Sequence, residues 1–265
     1  MAEFRRRNYG RNHAYYLDGV KLPGVTTILG DGLAKPALVA WGINTTAGYA
    51  VDNWDDLAGM KPSQRLDVLK KSPYAERDAA AKRGTEVHKL AELLAHGKEV
   101  VVPDELAGHV ESYVRFLDEF APEPVLLEEA CVSVSKWPYA GTFDGILDIR
   151  GRGRLLVDIK TARSGVFPDN ALQLAAYRHA THFASPDDGW ELHPMPQVDG
   201  CAVIHVRADG YSLVPVETGD TVFRTFRYAQ QMWSWANELS KTVVGEEIMP
   251  PAVRSAVSDE EVPFL

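Results

Sequence analysis

Cysteine is scarce in this chain of 265 residues, and long apolar runs are missing. Its two cysteines, Cys131 and Cys201, lie far apart and belong to no Cys-x-x-Cys pair. They cannot by themselves supply the four ligands of a structural zinc site or an iron–sulfur cluster, so we expect buried free thiols in a reducing compartment. No run of about 18 apolar residues occurs, and the sequence therefore predicts no transmembrane helix.

The N-terminus lacks the pattern of a secretory signal, because the charges of Met1–Arg7 are not followed by an apolar segment. A transit peptide rich in Arg and Ser is not evident either. We therefore expect a cytoplasmic protein without a membrane partner, in a bacterium or a phage-infected cell.

A basic balance is also absent, since the net charge is −9. This argues against tight, nonspecific coating of a nucleic-acid duplex. Local basic clusters such as Arg5-Arg6-Arg7 stay open to two interpretations, a phosphate-binding track or a solvated face. An apolar fraction of 45% and a charged fraction of 25% are typical of an ordinary globular protein.

The sequence does contain a β-hairpin pattern that carries two aspartates and a lysine. Two apolar segments, 143–149 and 155–159, flank the turn signal Gly151-Arg152-Gly153. A hairpin that pivots at Gly151 sets Asp144 opposite Asp158, with Cβ atoms about 4.5–5.5 Å apart. Because strand side chains alternate, Lys160 joins Asp158 on the same face.

Two carboxylates this close repel each other unless a proton or a cation lies between them. Mg²⁺ prefers such hard oxygen ligands and commonly uses one or two carboxylates plus a substrate phosphate. The alternative is a solvated edge strand with a simple salt bridge. The apolar run before Asp158 argues against full solvation, since buried strands show such runs.

The order of predicted elements indicates an α/β fold with a mixed central sheet, flanking helices and a helical N-terminal lobe. A hairpin at 15–22 precedes helices from 35 to 94, broken at Lys61-Pro62 and at Ser72-Pro73. The later predictions are a helix at 105–120, strands at 125–135, 142–149 and 155–161, a helix at 169–184 capped by Asp169, strands at 201–207 and 211–215, and a helix at 220–240. We divide the chain into a hairpin and helical lobe (1–80), a core (81–245) and an acidic tail (246–265).

Two predicted helices carry further candidates. His88 lies on a small-residue face with Gly84 and Ala91, which leaves room for a ligand. Taken alone, a histidine at the edge of the core, hydrogen-bonded to Glu92, is the preferred interpretation. Gln173 and Tyr177 lie one turn apart on the second helix. Their alternative is a solvent-facing amide above a boundary tyrosine.

In order, these pieces resemble the RecB-type branch of the PD-(D/E)XK nucleases, and in particular its single-domain exonucleases from mitochondria and phages. The resemblance covers about residues 80–180. It is carried by Arg83–His88, Glu129, Gly141-Thr142-Phe143-Asp144, Asp158-Ile159-Lys160 and Gln173–Tyr177.

The resemblance implies roles for these residues. His88, Asp144, Asp158 and the backbone carbonyl of Ile159 would bind Mg²⁺ or Mn²⁺. Lys160 would act on the attacking water and on the charge at phosphorus. Glu129 would add a carboxylate, although a slip of one residue exchanges it for Glu128. Gln173 and Tyr177 would hold the DNA backbone or the lysine.

The implied function is a metal-dependent DNA exonuclease that acts on single strands or ends in replication, repair or recombination. The four cysteines that bind an iron–sulfur cluster in some members are missing, so we expect no cluster. The lobe at 31–80 would cover DNA, with Trp41, Tyr49 and Trp54 either stacking on bases or packing in a core. A non-catalytic DNA-binding scaffold and an RNA-directed nuclease stay open as alternatives. The tail Ser258–Leu265 resembles partner-recruiting acidic tips, or is a plain acidic tail.

Overall fold

A computed structural model describes residues 2–10 and 12–248 of the chain. The elements, in chain order, are β1 (Phe4–Tyr9), β2 (Asn12–Leu17), β3 (Val20–Leu22), α1 (Val25–Gly32), α2 (Pro36–Asp52), α3 (Trp54–Ala58), α4 (Pro62–Ala95), α5 (Ala107–Phe120), β4 (Glu123–Leu127), β5 (Ala130–Ser133), β6 (Tyr139–Thr142), β7 (Gly145–Ile149), β8 (Gly153–Lys160), α6 (Pro168–Arg178), β9 (His182–Ala184), β10 (His193–Pro194), β11 (Gly200–Arg207), β12 (Gly210–Val216) and α7 (Asp220–Asn237).

The central sheet has five strands in the order β12-β11-β8-β7-β4. Its β8–β11 pair is parallel and the other three pairs are antiparallel, so the sheet is mixed. The parallel pair is joined by a crossover that contains α6. A mixed α/β fold with a central sheet and flanking helices is therefore confirmed. A four-stranded sheet (β10-β9-β5-β6) and the sheet β1-β2-β3 complete the β-structure of the described residues.

Each face of the central sheet has its own apolar layer, as alternation along the strands requires. Ile146 and Leu156 pack on one face with Leu174 of α6 and Phe226 of α7. On the other face the layer includes Leu147, Val157, Ala91 of α4 and Phe116 of α5. Helices thus cover both faces, and the middle strands are buried along most of their length.

The predicted N-terminal hairpin is β2–β3. Its two-residue turn has positive φ at Asp18 (50°) and at Gly19 (78°), the backbone of a type I′ turn. The sheet also contains β1, which the sequence analysis did not predict. Beyond it, α1 begins at Val25 with Gly24 at the N-cap and no side-chain cap.

The helical lobe is interrupted at Asn53, between α2 and α3, where no break is predicted, and again between α3 and α4. Helix α3 ends before Lys61, as predicted, but α4 runs through Pro73 without interruption. Proline removes the N–H that would bind the carbonyl of Leu69. The Ser72 hydroxyl donates to that carbonyl at 3.0 Å instead, which explains why the helix continues. The predicted break at Ser72-Pro73 is therefore wrong.

Two other predicted elements are divided in the structure. The strand at 125–135 is split into β4 and β5 at Glu128, whose φ is 51°. The helix at 169–184 ends at Arg178, and its last residues form β9, which pairs with β5. Its N-cap is Phe167 rather than Asp169. Asp169 instead pairs with Lys35 at 3.1 Å.

The predicted division at residue 80 falls inside α4, a helix of 34 residues that runs from the lobe to the core. No helix among residues 2–10 and 12–248 is long and apolar enough to cross a membrane. Both cysteines, Cys131 and Cys201, are free and buried. The tail prediction lies, from residue 249 onward, outside the described residues.

Candidate active site

The β7–β8 hairpin has the register that places the two aspartates opposite each other. Gly145 pairs with Val157 and Ile146 with Leu156. Continued by one position, this register sets Asp144 opposite Asp158, as the pivot at Gly151 predicts. Asp144 lies just before the first residue of β7, where the chain bends.

Asp144 is fixed by contacts from two directions. Its Oδ2 accepts a hydrogen bond from the backbone N–H of Ile159 at 2.6 Å. The β7–β8 ladder ends at the pair Gly145–Val157. The carboxylate therefore accepts the hydrogen bond that a backbone carbonyl would accept within the ladder. Its Oδ1 lies 3.3 Å from Nδ1 of His88 on α4. The strand and the helix together therefore determine where this carboxylate lies.

Asp158 contacts a different set of groups. The amide of Gln173 on α6 donates to Oδ1 at 2.9 Å. The Lys160 ammonium lies 2.5 Å from Oδ2. This ion pair engages the second oxygen of the carboxylate. With a side chain only 4% exposed, Asp158 is a buried acid that is paired with Lys160 and held by Gln173.

The surroundings move the two carboxyl pKa values in opposite directions. Burial would raise the pKa of Asp144, but His88, Lys160 and the Ile159 N–H outweigh it and the net pKa is lowered. For Asp158 burial dominates, and with the repulsion of Asp144 it raises the pKa to about 6 despite Lys160. Such a pair, held apart in pKa by its environment, is typical of sites that perform acid–base or cation chemistry.

His88 lies beside this pair. Burial lowers the pKa of its imidazole, while the charges of Asp144 and Asp158 raise it, and the net pKa lies above its ordinary value. Its side chain is 34% exposed and that of Lys160 is 27% exposed, so these two form the accessible side of the cluster.

Tyr177 contacts the cluster through Gln173. Its hydroxyl accepts a hydrogen bond from the Gln173 amide at 3.0 Å. Its ring lies against Gly141, where an added Cβ atom would come within 2.5 Å of Cε1. Gly141 is therefore required because the backbone and this ring approach each other closely.

The N-terminal hairpin also reaches the site. The Tyr15 hydroxyl lies 2.8 Å from the Thr142 hydroxyl and 2.8 Å from Nε2 of His13. The sequence analysis missed this contact between residues 127 positions apart. No local signal in the sequence identifies it, because it depends on how the hairpin packs on β6.

Glu129 is not brought to the cluster. Its pKa is raised by burial and responds to Ser185, Asp187, Asp188 and His193 rather than to the aspartates. The Glu128 carboxyl lies nearer the cluster, because the charge of Asp144 is among the groups that raise its pKa. Burial and the nearby Glu92 raise the pKa of Glu128 to about 7. The left-handed backbone at Glu128 interrupts the alternation of side chains along the strand. Glu128 therefore takes the side of the sheet that regular alternation assigns to Glu129.

Metal-ligating side chains are only partly assembled here. Across residues 2–10 and 12–248, no group of three or more His, Cys, Asp or Glu side chains is arranged to hold a metal ion. His88 and Asp144 are in contact, whereas Asp158 is turned to Lys160 and Gln173. The donor types are nevertheless those that hard divalent cations accept.

Comparisons with known proteins give little. No protein-family model matches this chain, and no curated protein matches it. Among solved structures, that of SSO0001 is similar over part of the chain, with a TM-score of 0.31 and 14% sequence identity. The alignment covers 52% of this chain and 63% of that one. A superposition of this quality carries no argument about fold or function.

Proposed function

We propose that this chain is a Mg²⁺- or Mn²⁺-dependent DNA exonuclease with a PD-(D/E)XK-type core, acting on single strands or ends. One observation carries the proposal. A single hairpin presents the buried carboxylate of Asp158, the half-buried carboxylate of Asp144 and the ammonium of Lys160 beside the imidazole of His88. Burial of such charges costs free energy unless they are paired, hydrogen-bonded or bound to a metal ion.

The donor types near Asp144 are those that a divalent cation accepts. His88, Asp144, Asp158 and the backbone carbonyl of Ile159 would hold it. The N–H of Ile159 already faces Asp144, and residues of a strand direct N–H and C=O to the same edge. The Oδ2 of Asp158, which pairs with Lys160, would be a further oxygen for such an ion. A cation bound there supplies Lewis-acid polarisation of the phosphoryl oxygen and lowers the pKa of a bound water.

The other residues have roles that follow from their contacts. The Lys160 ammonium is held next to Asp158. If the phosphate binds at this carboxylate, the ammonium would stabilise the negative charge that develops on phosphorus. Gln173 fixes Asp158 through its amide, and Tyr177 fixes Gln173. Glu129 has no role in this proposal, and Glu128 is the additional carboxylate near the cluster.

The test is digestion of 5′- and 3′-labelled single-stranded DNA in Mg²⁺, Mn²⁺ or EDTA, with matched RNA strands in parallel. We expect cleavage of DNA that requires the metal and disappears in Lys160→Ala. Lys89→Ala is the matched control, because Lys89 lies on α4 next to His88 but is exposed and pairs with Glu86 at 3.4 Å. The labelled end that is released first reports the polarity.

Each other outcome has a defined meaning. Faster cleavage of RNA than of DNA would make this an RNA-directed nuclease, since a metal held by these residues would contact phosphate and would not distinguish the sugars. Intact strands in all lanes, with binding in a gel shift, would support a non-catalytic scaffold and contradict the proposal. Recruitment of a protein partner by the tail at 246–265 stays a prediction.

A further inference from the structure

Two arginines near the candidate active site have no acidic partner. Arg83, on α4, is half-buried, and Arg163, in the turn after β8, is exposed. Neither forms an ion pair among the residues that the structure describes. Glu86, three residues after Arg83 on the same helix, pairs with Lys89 instead. The described carboxyl groups whose pKa is shifted respond to other cations and not to these two.

The turn that carries Arg163 is held against the central sheet. The N–H of Gly165, whose φ is 100°, donates to the carbonyl of Ala162 at 3.2 Å. Nε2 of His205 lies 2.8 Å from the same carbonyl. His205 itself lies beside Lys160 in the register of the parallel β8–β11 pair. Arg163 therefore has a defined position just past the lysine of the candidate site.

Helix α4 meets the same turn at Gly84. An added Cβ atom at Gly84 would lie 3.3 Å from Oγ1 of Thr161, so the helix and the turn are in contact there. Arg83 is the residue before Gly84, and it lies about 7 Å from His88 along the helix axis. This contact brings Arg83 to the end of β8 at which Lys160 lies.

His109, on α5, lies close to both arginines. Burial and the charges of Arg83 and Arg163 lower the pKa of its imidazole, and no acid contributes to the shift. Two cations beside a third basic group repel each other, and an anion bound between them would remove that repulsion. Arg83, His109 and Arg163 thus form a basic surface next to Lys160.

We infer that Arg83 and Arg163 bind phosphates of the substrate strand where it runs from the active site across α4 and the turn after β8. This inference rests on the proposed function and names the surface that holds the strand. A guanidinium binds phosphate through two parallel hydrogen bonds. Such contacts supply most of the sequence-independent affinity for nucleic acid, and they need only a local basic surface in a chain of net charge −9.

The experiment measures binding of a fluorescein-labelled oligothymidylate by fluorescence anisotropy in EDTA, at several KCl concentrations. The proteins are wild type, the double variant Arg83→Gln with Arg163→Gln, the single variant Arg163→Gln, and Arg152→Gln. Arg152 is the matched control, because it is exposed in the β7–β8 turn and lies about 25 Å from Lys160 along β8. EDTA removes the metal, so Kd is measured without cleavage.

We expect the double variant to raise Kd at least about tenfold, the effect of losing one charge-assisted hydrogen bond or more. Each phosphate contact on a single strand contributes about 0.7 to the slope of log Kd against log salt concentration. The double variant should therefore lower this slope by about 1.4 and Arg163→Gln by about 0.7. Arg152→Gln should leave it unchanged. A purely structural role of the arginines would not lower the slope in these steps.

A conservative variant tests whether charge is the cause. Arg83→Lys with Arg163→Lys keeps both charges and should keep the wild-type slope, with a Kd between those of wild type and the double Gln variant. Circular dichroism checks that each variant folds. Because Arg163 is exposed, its single variant gives the result if the double variant does not fold.

The outcomes separate this inference from the proposed function. Wild-type slope and Kd in the Gln variants, beside metal-dependent digestion by the wild-type protein, would overturn the role of the two arginines and leave the nuclease. The expected loss of slope, without digestion in any metal, would support the strand-binding surface and contradict the nuclease. A wild-type protein that neither binds nor digests the oligomer would overturn both.

Discussion

The β7–β8 hairpin and helix α2 place their side chains in opposite environments. The hairpin buries charge: Asp158 is 4% exposed, in the middle of a sheet covered on both faces. Helix α2 exposes apolar groups: it has no buried residue, and Ile43 and Val51 are 64% and 74% exposed. Each region departs from the usual rule that apolar groups are buried and charged groups are exposed.

The difference indicates what each region contributes. Charged groups in the hairpin are positioned by two apolar layers, so their geometry depends on the core. Helix α2 buries little of its surface, which leaves that surface available for contacts with other molecules. Trp54 is 67% exposed and Tyr49 is 37% exposed, so neither belongs to the core. The prediction that this lobe covers DNA is unchanged.

Removing a carboxylate from the hairpin should have the largest effect. Asp158→Asn should lower the rate of single-turnover hydrolysis of labelled single-stranded DNA by at least about 10²-fold, as loss of a central electrostatic group does. Asp148→Asn is the matched control on the same hairpin, because Asp148 pairs with Arg154 at 2.8 Å away from the cluster. Equal rates for the two variants would contradict the assignment of the site.

Truncation of one aromatic residue in each region measures the difference in stability. Phe116→Ala should lower the free energy of unfolding by about 3–5 kcal/mol, because Phe116 is fully buried against the sheet. Trp54→Ala should change it by less than about 0.5 kcal/mol. Urea unfolding measures both. A large loss in Trp54→Ala would show that the lobe is part of the cooperative core.

Two glycine substitutions should have opposite signs. Gly141→Ala forces a Cβ atom to within 2.5 Å of the Tyr177 ring and should lower the free energy of unfolding by about 1–3 kcal/mol. Gly48→Ala, in α2, meets no atom within 4 Å. It should raise the free energy of unfolding by about 0.5–1 kcal/mol through helix propensity. Thermal unfolding of both variants checks the signs.

The pH dependence of the metal-free protein should reflect Asp158. Its folded-state pKa of about 6 lies above the ordinary value. The folded state therefore binds more protons than the unfolded state between about pH 4 and 6, and stability falls as the pH rises through that range. In EDTA at pH 8, Asp158→Asn should be more stable than wild type by about 1–3 kcal/mol.

Asp144→Asn is the counterpart. The pKa of Asp144 is lowered, so its charged form stabilises the protein above the unfolded-state pKa and that contribution is lost as the pH falls. This variant should be less stable than wild type at pH 8. Urea unfolding at pH 5 and pH 8 compares the two, and the same sign for both variants would contradict the opposite environments.

The sequence sufficed for the hairpin because its register is a local property. Gly151 fixes the turn, and the alternation of apolar residues then sets Asp144 opposite Asp158. Lys160 also lies beside Asp158, as strand alternation predicts, and this too depends on residues within one element. The contacts of His88 and Gln173 with the two aspartates join separate elements, and only the resemblance implied them.

The errors concern properties that are not local. The helix expected to reach residue 184 ends at Arg178, because residues 182–184 pair with β5. Glu129 was favoured over Glu128, but the φ of 51° at Glu128 turns the strand. The contact of Tyr15 with Thr142 depends on how a distant hairpin packs on β6. Tertiary contacts determine all of these, and a single sequence does not contain them.

The most direct test of the account is a calorimetric titration of the protein with Mn²⁺, beside Asp144→Asn. We predict one Mn²⁺ bound per wild-type chain and at least about tenfold weaker binding in the variant, in the range for loss of one ligand or its support. Asp148→Asn should bind as wild type does. Equal affinity in all three proteins would contradict the claim that the two hairpin carboxylates hold the catalytic metal.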